Sequence, residues 1–224
     1  MKSLGAEHEN LDNKVYRQLK AMILDQKLKP GSKIYQEKLA EDLGISRTPL
    51  VSALKKLEQE QLITAVPRKG FFVRHFSTDE MISIFELREV LEGLAARRAS
   101  MRITADQIRK LRKFFQGVGT SDDTKGVEKY AAEDRRFHNF LIDIGGDDLM
   151  ASILETYSVI AFSYLLGFGG GLVRPPKETL PEHLAIIDAI TNRNPDRAER
   201  AIRIHFKRSR EKLASIFQAA GGTG

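Results

Sequence analysis

The pattern of apolar residues changes character between Phe76 and Glu80, and that change constrains the fold more than any other feature of the chain. Up to that point the sequence runs FFVRHF, extended, aromatic and β-branched. Directly after it, Ser77-x-x-Glu80 forms a capping box that opens a 3.6-residue apolar period. A switch of this kind predicts two domains, residues 1–76 and 77–224. Charge separates at the same place. Residues 1–76 hold 14 Lys and Arg against 9 Asp and Glu, a net of +5, whereas residues 77–224 hold 22 against 21, a net of +1. Of the whole-chain charge of +6, nearly all belongs to the first third. That excess points the first third towards a polyanion and leaves the larger part free for a different task.

In the first domain, Val15, Leu19, Met22 and Ile23 share one helix face, and Pro30-Gly31 is expected to close that helix with a turn. A short second helix is carried by Leu39, Ala40 and Leu43, with Gly44 as its left-handed stop. Thr48 is then read as an N-cap and Pro49 as the first residue of a third helix, whose inward stripe is Leu50, Leu54 and Leu57. Beyond Leu62-Ile63, the segment TAVPRKGFFVRHF reads as a β-hairpin with a basic, glycine-containing tip. Two helices joined by a tight glycine turn, followed by a basic hairpin, form a winged helix-turn-helix, whose second helix enters the major groove of DNA. With the leucines inward, Arg47, Thr48, Val51, Ser52 and Lys55 face out. Arg47 can pair with guanine or clamp a phosphate, and Val51 can pack on a thymine methyl. Arg68 and Lys69 at the wing suit phosphate or minor-groove contact, and Gly70 permits close backbone approach. The competing interpretation is that these are ordinary solvated charges.

Cysteine is absent, which excludes disulfides, thiol catalysis and thiolate zinc sites. No apolar run has signal-peptide or membrane-spanning length, so a cytoplasmic protein without a membrane partner is expected.

From Asp79 onward the pattern is helical. Helices are predicted at 79–100, 105–117, 126–144, 148–167, 180–192 and 196–218, and the short breaks between them predict an antiparallel helical bundle. The fold class is thus mainly α, with a small β-hairpin wing on the first domain. Three of the bundle's apolar stripes carry anomalies. Asp134 and His138 lie on the face formed by Val127, Ala131, Phe137 and Leu141. His183 shares a face with Ile186, Ile187 and Ile190, and His205 lies between Ile202, Ser209, Leu213 and Ile216. Burying these four groups without partners is costly, so each needs a hydrogen bond, an ion partner or a metal. Asp134 and His138 alone could satisfy one another at i, i+4. A single ion satisfies all four, and three imidazoles with one carboxylate suit Zn²⁺, and also Ni²⁺, Co²⁺ or Mn²⁺. No further carboxylate or histidine is expected on the inner faces.

Residues 11–75 resemble the DNA-binding head of GntR-type bacterial transcription regulators. The PG turn, LAEDLGISRTP, the AL..LE..xLI segment and the R.G.FV wing occur in order. Two positions depart from that pattern: Val51 stands where the family usually has Arg, and Gln61 where it usually has Gly. The first departure removes a base-reading donor. Residues 79–218 resemble the FCD ligand-binding domain of the FadR branch. DRRFH (Asp134, His138), EHLAIIDAI (His183) and IRIHFKRS (His205) match its metal-bearing form. The resemblance implies a metal at the floor of a cavity and a small organic acid as effector. Arg88 projects within the stripe Met81, Ile84, Leu87, Leu91, Leu94 and Ala95. Its anion is either Glu92 one turn on or an effector carboxylate.

The expectation is a homodimeric, ligand-responsive transcription regulator on a pseudo-palindromic operator, not an enzyme. A metal-dependent hydrolase fused to a DNA-binding head and an architectural nucleic-acid binder are the alternatives.

Overall fold

The computed structural model describes residues 11–120, 123–169 and 172–221, with side-chain detail for all of these except 158–159, 162–169 and 219–221. The chain divides into two compact units, Met1–Phe76 and Ser77–Gly224. The first dozen residues and the Gly-rich end from Ala220 to Gly224, whose composition suggests frayed tails, fall largely outside the described residues, and so does the side chain of Tyr164, a candidate from its sequence position for core, interface or pocket lining.

The first unit runs α1 (Leu11–Leu24), β1 (Lys33–Ile34), α2 (Gln36–Asp42), α3 (Arg47–Gln59), β2 (Ile63–Val66) and β3 (Gly70–Val73). Leu19, Leu50, Leu54 and Leu57 are fully buried where α1 packs on α3. α1 stops well before Pro30, because Gln26 turns left-handed (φ 55°). Pro30-Gly31 instead delivers the chain into β1, a strand too short to show alternation in the sequence. β1 pairs with β3 (Lys33 opposite Phe72), so the wing is a three-stranded antiparallel sheet in the order β1-β3-β2. Gly44 is left-handed (φ 63°), as expected of the stop after α2. α3 begins two residues earlier than predicted. Its N-cap is Ser46, without a side-chain cap bond, so Thr48 is not the cap and Pro49 lies within the first turn. The first turn has no intrahelical partners for its N–H groups, so a proline there loses nothing.

The second unit contains six helices among the described residues: α4 (Thr78–Arg102), α5 (Ala105–Leu111), α6 (Thr124–Gly145), α7 (Asp148–Gly169), α8 (Pro176–Thr191) and α9 (Pro195–Gly221). The capping box at the head of α4 is complete. Ser77 Oγ accepts from Glu80 N (3.2 Å), and Glu80 Oε2 accepts from Ser77 N (2.8 Å). α4 packs against α6, α7, α8 and α9. As the central helix it buries a face different from the leucine stripe expected. Met81, Ile84, Phe85, Glu92, Ala95, Ala96 and Ala99 are buried, whereas Leu87, Leu91 and Leu94 are only half-buried.

α5 ends six residues short of its predicted end. Phe115 is left-handed (φ 64°) and Gly117 follows it (φ 74°). The departure from helix buries two adjacent rings, Phe114 and Phe115, against Phe137. α8 begins four residues before its predicted start, with Pro176 at N1, where a missing N–H costs nothing. Ile216 on α9 is exposed and not part of the inner stripe.

Candidate functional site

Two sets of residues carry chemistry, one in each unit. On the first unit, Arg47, Thr48, Val51, Ser52 and Lys55 line one shallow surface groove along the outer side of α3. Arg47 is exposed, 3.5 Å from the exposed Glu37 carboxylate, a pairing too solvated to hold it. The wing turns through Pro67-Arg68-Lys69, closed by Lys69 N donating to Val66 O (3.0 Å). Arg68 takes φ 62° and Gly70 φ 95°. The Arg68 and Lys69 side chains are exposed, so the turn presents two cations to solvent.

In the second unit, α6, α8 and α9 bring Asp134, His138, His183 and His205 together, with one donor atom from each within 4.8 Å of the others. The histidines are buried, and Asp134 is 23% exposed towards a cavity of about 600 Å³, its open mouth included. Each imidazole is held from behind through Nδ1. His138 Nδ1 lies 2.6 Å from Glu92 Oε2, His205 Nδ1 lies 2.9 Å from Glu182 Oε2, and His183 Nδ1 lies 2.9 Å from the Tyr130 hydroxyl. Phe115 stacks on His183 at 4.6 Å between ring centres. The Tyr130 hydroxyl is 2.9 Å from Thr179 Oγ1, which reaches the Pro175 carbonyl at 3.5 Å. Thr179 Oγ1 is the donor to the Tyr130 oxygen, whose second lone pair can accept His183 Nδ1–H, which leaves a lone pair on Nε2.

All three Nε2 atoms are then free for the centre. His183 Nε2 is buried without a hydrogen-bond partner, although Asp134 Oδ1 is only 3.1 Å away. His138 Nε2 is 4.0 Å from the same oxygen. Donor atoms that crowd together in this way have the arrangement that ligands of a common cation adopt. The electrostatics agree. Burial pushes His205 down to about 3, against the raising pull of Glu182, and burial also lowers His183. Burial raises the Asp134 carboxyl, but the His183 contact and the other imidazoles outweigh it and hold the group well below the ordinary carboxylate range. His183 and His205 held neutral beside an ionised Asp134 are in the protonation states a divalent ion requires.

Arg88 lines the cavity with Asp134, His138 and His205. Its Nε donates to Glu92 Oε1 at 2.8 Å, and its guanidinium carbon sits 4.7 Å over the Phe206 ring. Of the two sequence alternatives for Arg88, the structure shows the pairing with Glu92, in a residue that also lines the cavity. The expectation of no further inner carboxylate is overturned. Glu92 is buried and Glu182 nearly so. Glu182 is also gripped by Arg174, whose Nη1 lies 2.9 Å from Oε1, and by Arg208 at 2.7 Å. Burial raises the Glu182 carboxyl, but Arg174, His205 and Arg208 pull it well below its ordinary range. Arg174 is itself buried, a loop residue that no helical period could have marked. Glu92 had a signal, its i+4 spacing from Arg88, but that spacing does not say which of the two is buried.

Residues 11–73 match the family "Bacterial regulatory proteins, gntR family", and residues 83–208 match the FCD domain. The chain is 28% identical over 211 residues to the uncharacterized HTH-type transcriptional regulator YdhC of Bacillus subtilis, covering 91% of each chain. It is 26% identical over 209 residues to the HTH-type transcriptional repressor RspR of Escherichia coli, covering 93% of this chain and 91% of that one. It is also 26% identical over 200 residues to the Nta operon transcriptional regulator of Aminobacter aminovorans, covering 89% and 92%. In fold it is similar to the solved E. coli McbR/YncC, with a TM-score of 0.73 at 17% identity over 94% of this chain and all of the other.

Proposed function

We propose a division of labour between the two units of a chain that belongs to the gntR family of bacterial regulatory proteins and is a DNA-binding transcriptional regulator of the FCD type. The head reads the operator. α3 lies in the major groove, with Arg47, Thr48, Val51, Ser52 and Lys55 on the base and phosphate edges. Arg68, Lys69 and Gly70 of the wing meet the adjacent backbone or minor groove. Two copies of the chain, as a cytoplasmic homodimer, occupy a pseudo-palindromic operator. Val51 gives an apolar contact where an arginine would give two donors, so its share of the readout goes to a thymine methyl.

The larger unit senses. Asp134, His138, His183 and His205 hold a divalent ion, zinc first by its preference for nitrogen with one oxygen, and nickel, cobalt or manganese as alternatives. The ion supplies a fixed positive charge at the cavity floor. With Arg88 it selects a small organic acid, whose binding shifts the balance of conformations and so the operator affinity. The observation that carries this reading is His183 Nε2, buried and unbonded 3.1 Å from Asp134, with its Nδ1 anchored elsewhere.

A hydrolase built on the same site needs a free general base. Glu92 and Glu182 are both committed to arginine and histidine partners, which favours a sensor over a catalyst. Selection of duplexes from a random pool tests the regulatory part. The proposal expects a two-fold-related pair of half-sites whose affinity changes when the protein is stripped of metal. Recovery of unrelated sequences, or an affinity indifferent to metal, contradicts it.

A further inference from the structure

We propose that Glu92 is a positioning residue that ties the metal ligand His138 to the cavity guanidinium Arg88, so that a single carboxylate responds to both the metal and the anion. The inference rests on the metal reading above. Glu92 is 2% exposed, and its two oxygens are divided. Oε2 takes His138 Nδ1 at 2.6 Å and Oε1 takes Arg88 Nε at 2.8 Å. A buried carboxylate with one oxygen on each of two partners cannot change its hold on one without changing its hold on the other.

The other two histidines are supported differently. His183 leans on a neutral hydroxyl, Tyr130. His205 leans on Glu182, but the cavity arginine on that carboxylate, Arg174, is also tied to Ser209 Oγ and to the His205 carbonyl. Among the described residues, Arg88 lines the cavity with only its Nε committed to a protein acceptor, so its two terminal nitrogens have donors to spare. Glu92 is thus the support whose second partner is open to a ligand.

The chemistry follows from competition for charge. A carboxylate on Nδ1–H fixes the imidazole ring and makes Nε2 a better donor to a cation. An anion arriving on Arg88 competes with Glu92 for the guanidinium and leaves more of the Glu92 charge to His138. Anion and metal therefore reinforce one another, and the linkage is reciprocal.

Full-length protein labelled with ¹⁵N in its histidine rings tests this, with zinc affinity measured by competition against a chromophoric chelator. Glu92→Gln is expected to weaken zinc binding about 10- to 100-fold, as outer-shell substitutions do. It moves the His138 ring resonances and leaves those of His205 in place. Arg88→Met displaces the His138 resonances in the wild-type background and adds no displacement to Glu92→Gln, whereas Arg88→Lys, which keeps a cation, largely restores them. Unchanged zinc affinity in Glu92→Gln, equal movement of all three histidines, or the same Arg88→Met shift in both backgrounds overturns the relay. If Glu92→Gln does not fold, Arg88→Met alone decides, because an unmoved His138 signal is sufficient to reject the proposal. A wild-type chain that takes up no zinc defeats the metal reading and the relay with it. Zinc uptake with additive shifts defeats the relay alone.

Discussion

Gln61 adopts φ 59°, a backbone region in which a side chain is strained and glycine is not. It stands where the resembling family usually has glycine, so the departure visible in the sequence has a physical meaning that appears only in the backbone. Gln61→Gly is expected to stabilise the head by up to about 1 kcal/mol. Loss of the 2.8 Å bond from Arg74 Nη1 to Gln61 Oε1 offsets part of that gain. A higher melting temperature supports the account, and a lower one contradicts it. A second residue-scale prediction concerns alkaline pH. Lys20 is buried in a contact with the Tyr16 hydroxyl (2.9 Å) and Glu60 (3.1 Å). Burial and the bond to Glu60 push the Tyr16 hydroxyl up from 10.0 to about 12, against the pull of Lys20. Burial lowers Lys20, but Tyr16 and Glu60 more than reverse it, so its folded value is raised. The folded head therefore keeps protons that the unfolded chain releases, and its stability is full below pH 10 and falls above it. Melts taken on either side of pH 10 should show the loss, and Tyr16→Phe should flatten it; an unchanged slope in the variant contradicts the assignment. Neither the partly buried Glu60 nor the buried Glu92 was legible as such, since burial is set by which helix packs over a carboxylate and not by local spacing.

At the scale of elements, the helical period located the long helices but not their ends. β1 was missed because two residues cannot alternate, and α5 was overextended because the inward demand of Phe114 and Phe115 outweighs helical propensity. The capping box at Ser77 was legible because both of its partners are local. Close packing between helices is the other hidden element. The end of α6 lies so near α4 that a Cβ on Gly145 would fall 1.8 Å from the Ala95 carbonyl oxygen and 2.9 Å from Ala99 N. These atoms are backbone and cannot swing aside. Gly145→Ala should cost about 1–3 kcal/mol or more, as overpacking does, read as a lowered urea midpoint for the bundle. A midpoint unchanged from wild type contradicts the α4–α6 contact. The alanine face of α4 that permits this approach also brings Glu92 to His138, while Arg88 on the same helix lines the cavity, so packing and site are set by the same helix.

For the whole molecule, the uneven charge was the clearest signal in the sequence, and it belongs to a DNA-binding regulator. The four Asp and His residues were legible individually as polar interruptions of apolar stripes, because the three helices that carry them, α6, α8 and α9, each have a clean period. Their supports were not, because Tyr130, Glu182 and Arg174 join the site through tertiary contacts. Against a selected operator, Arg47→Ala should cost about 1–3 kcal/mol and relax specificity at one base pair if the arginine reads a base. Lys69→Ala should weaken all duplexes alike and reduce the salt slope by about 1 if the lysine meets a phosphate. Variants indistinguishable from wild type in both affinity and salt slope contradict the proposed face. The central claim, that Asp134, His138, His183 and His205 form one metal site serving the regulator, is tested most directly by elemental analysis and zinc competition on purified wild type, His183→Ala and His205→Ala, with circular dichroism to verify that each is folded. The account predicts a tightly held divalent ion in the wild type and its loss from both folded variants; equal metal content in all three contradicts it.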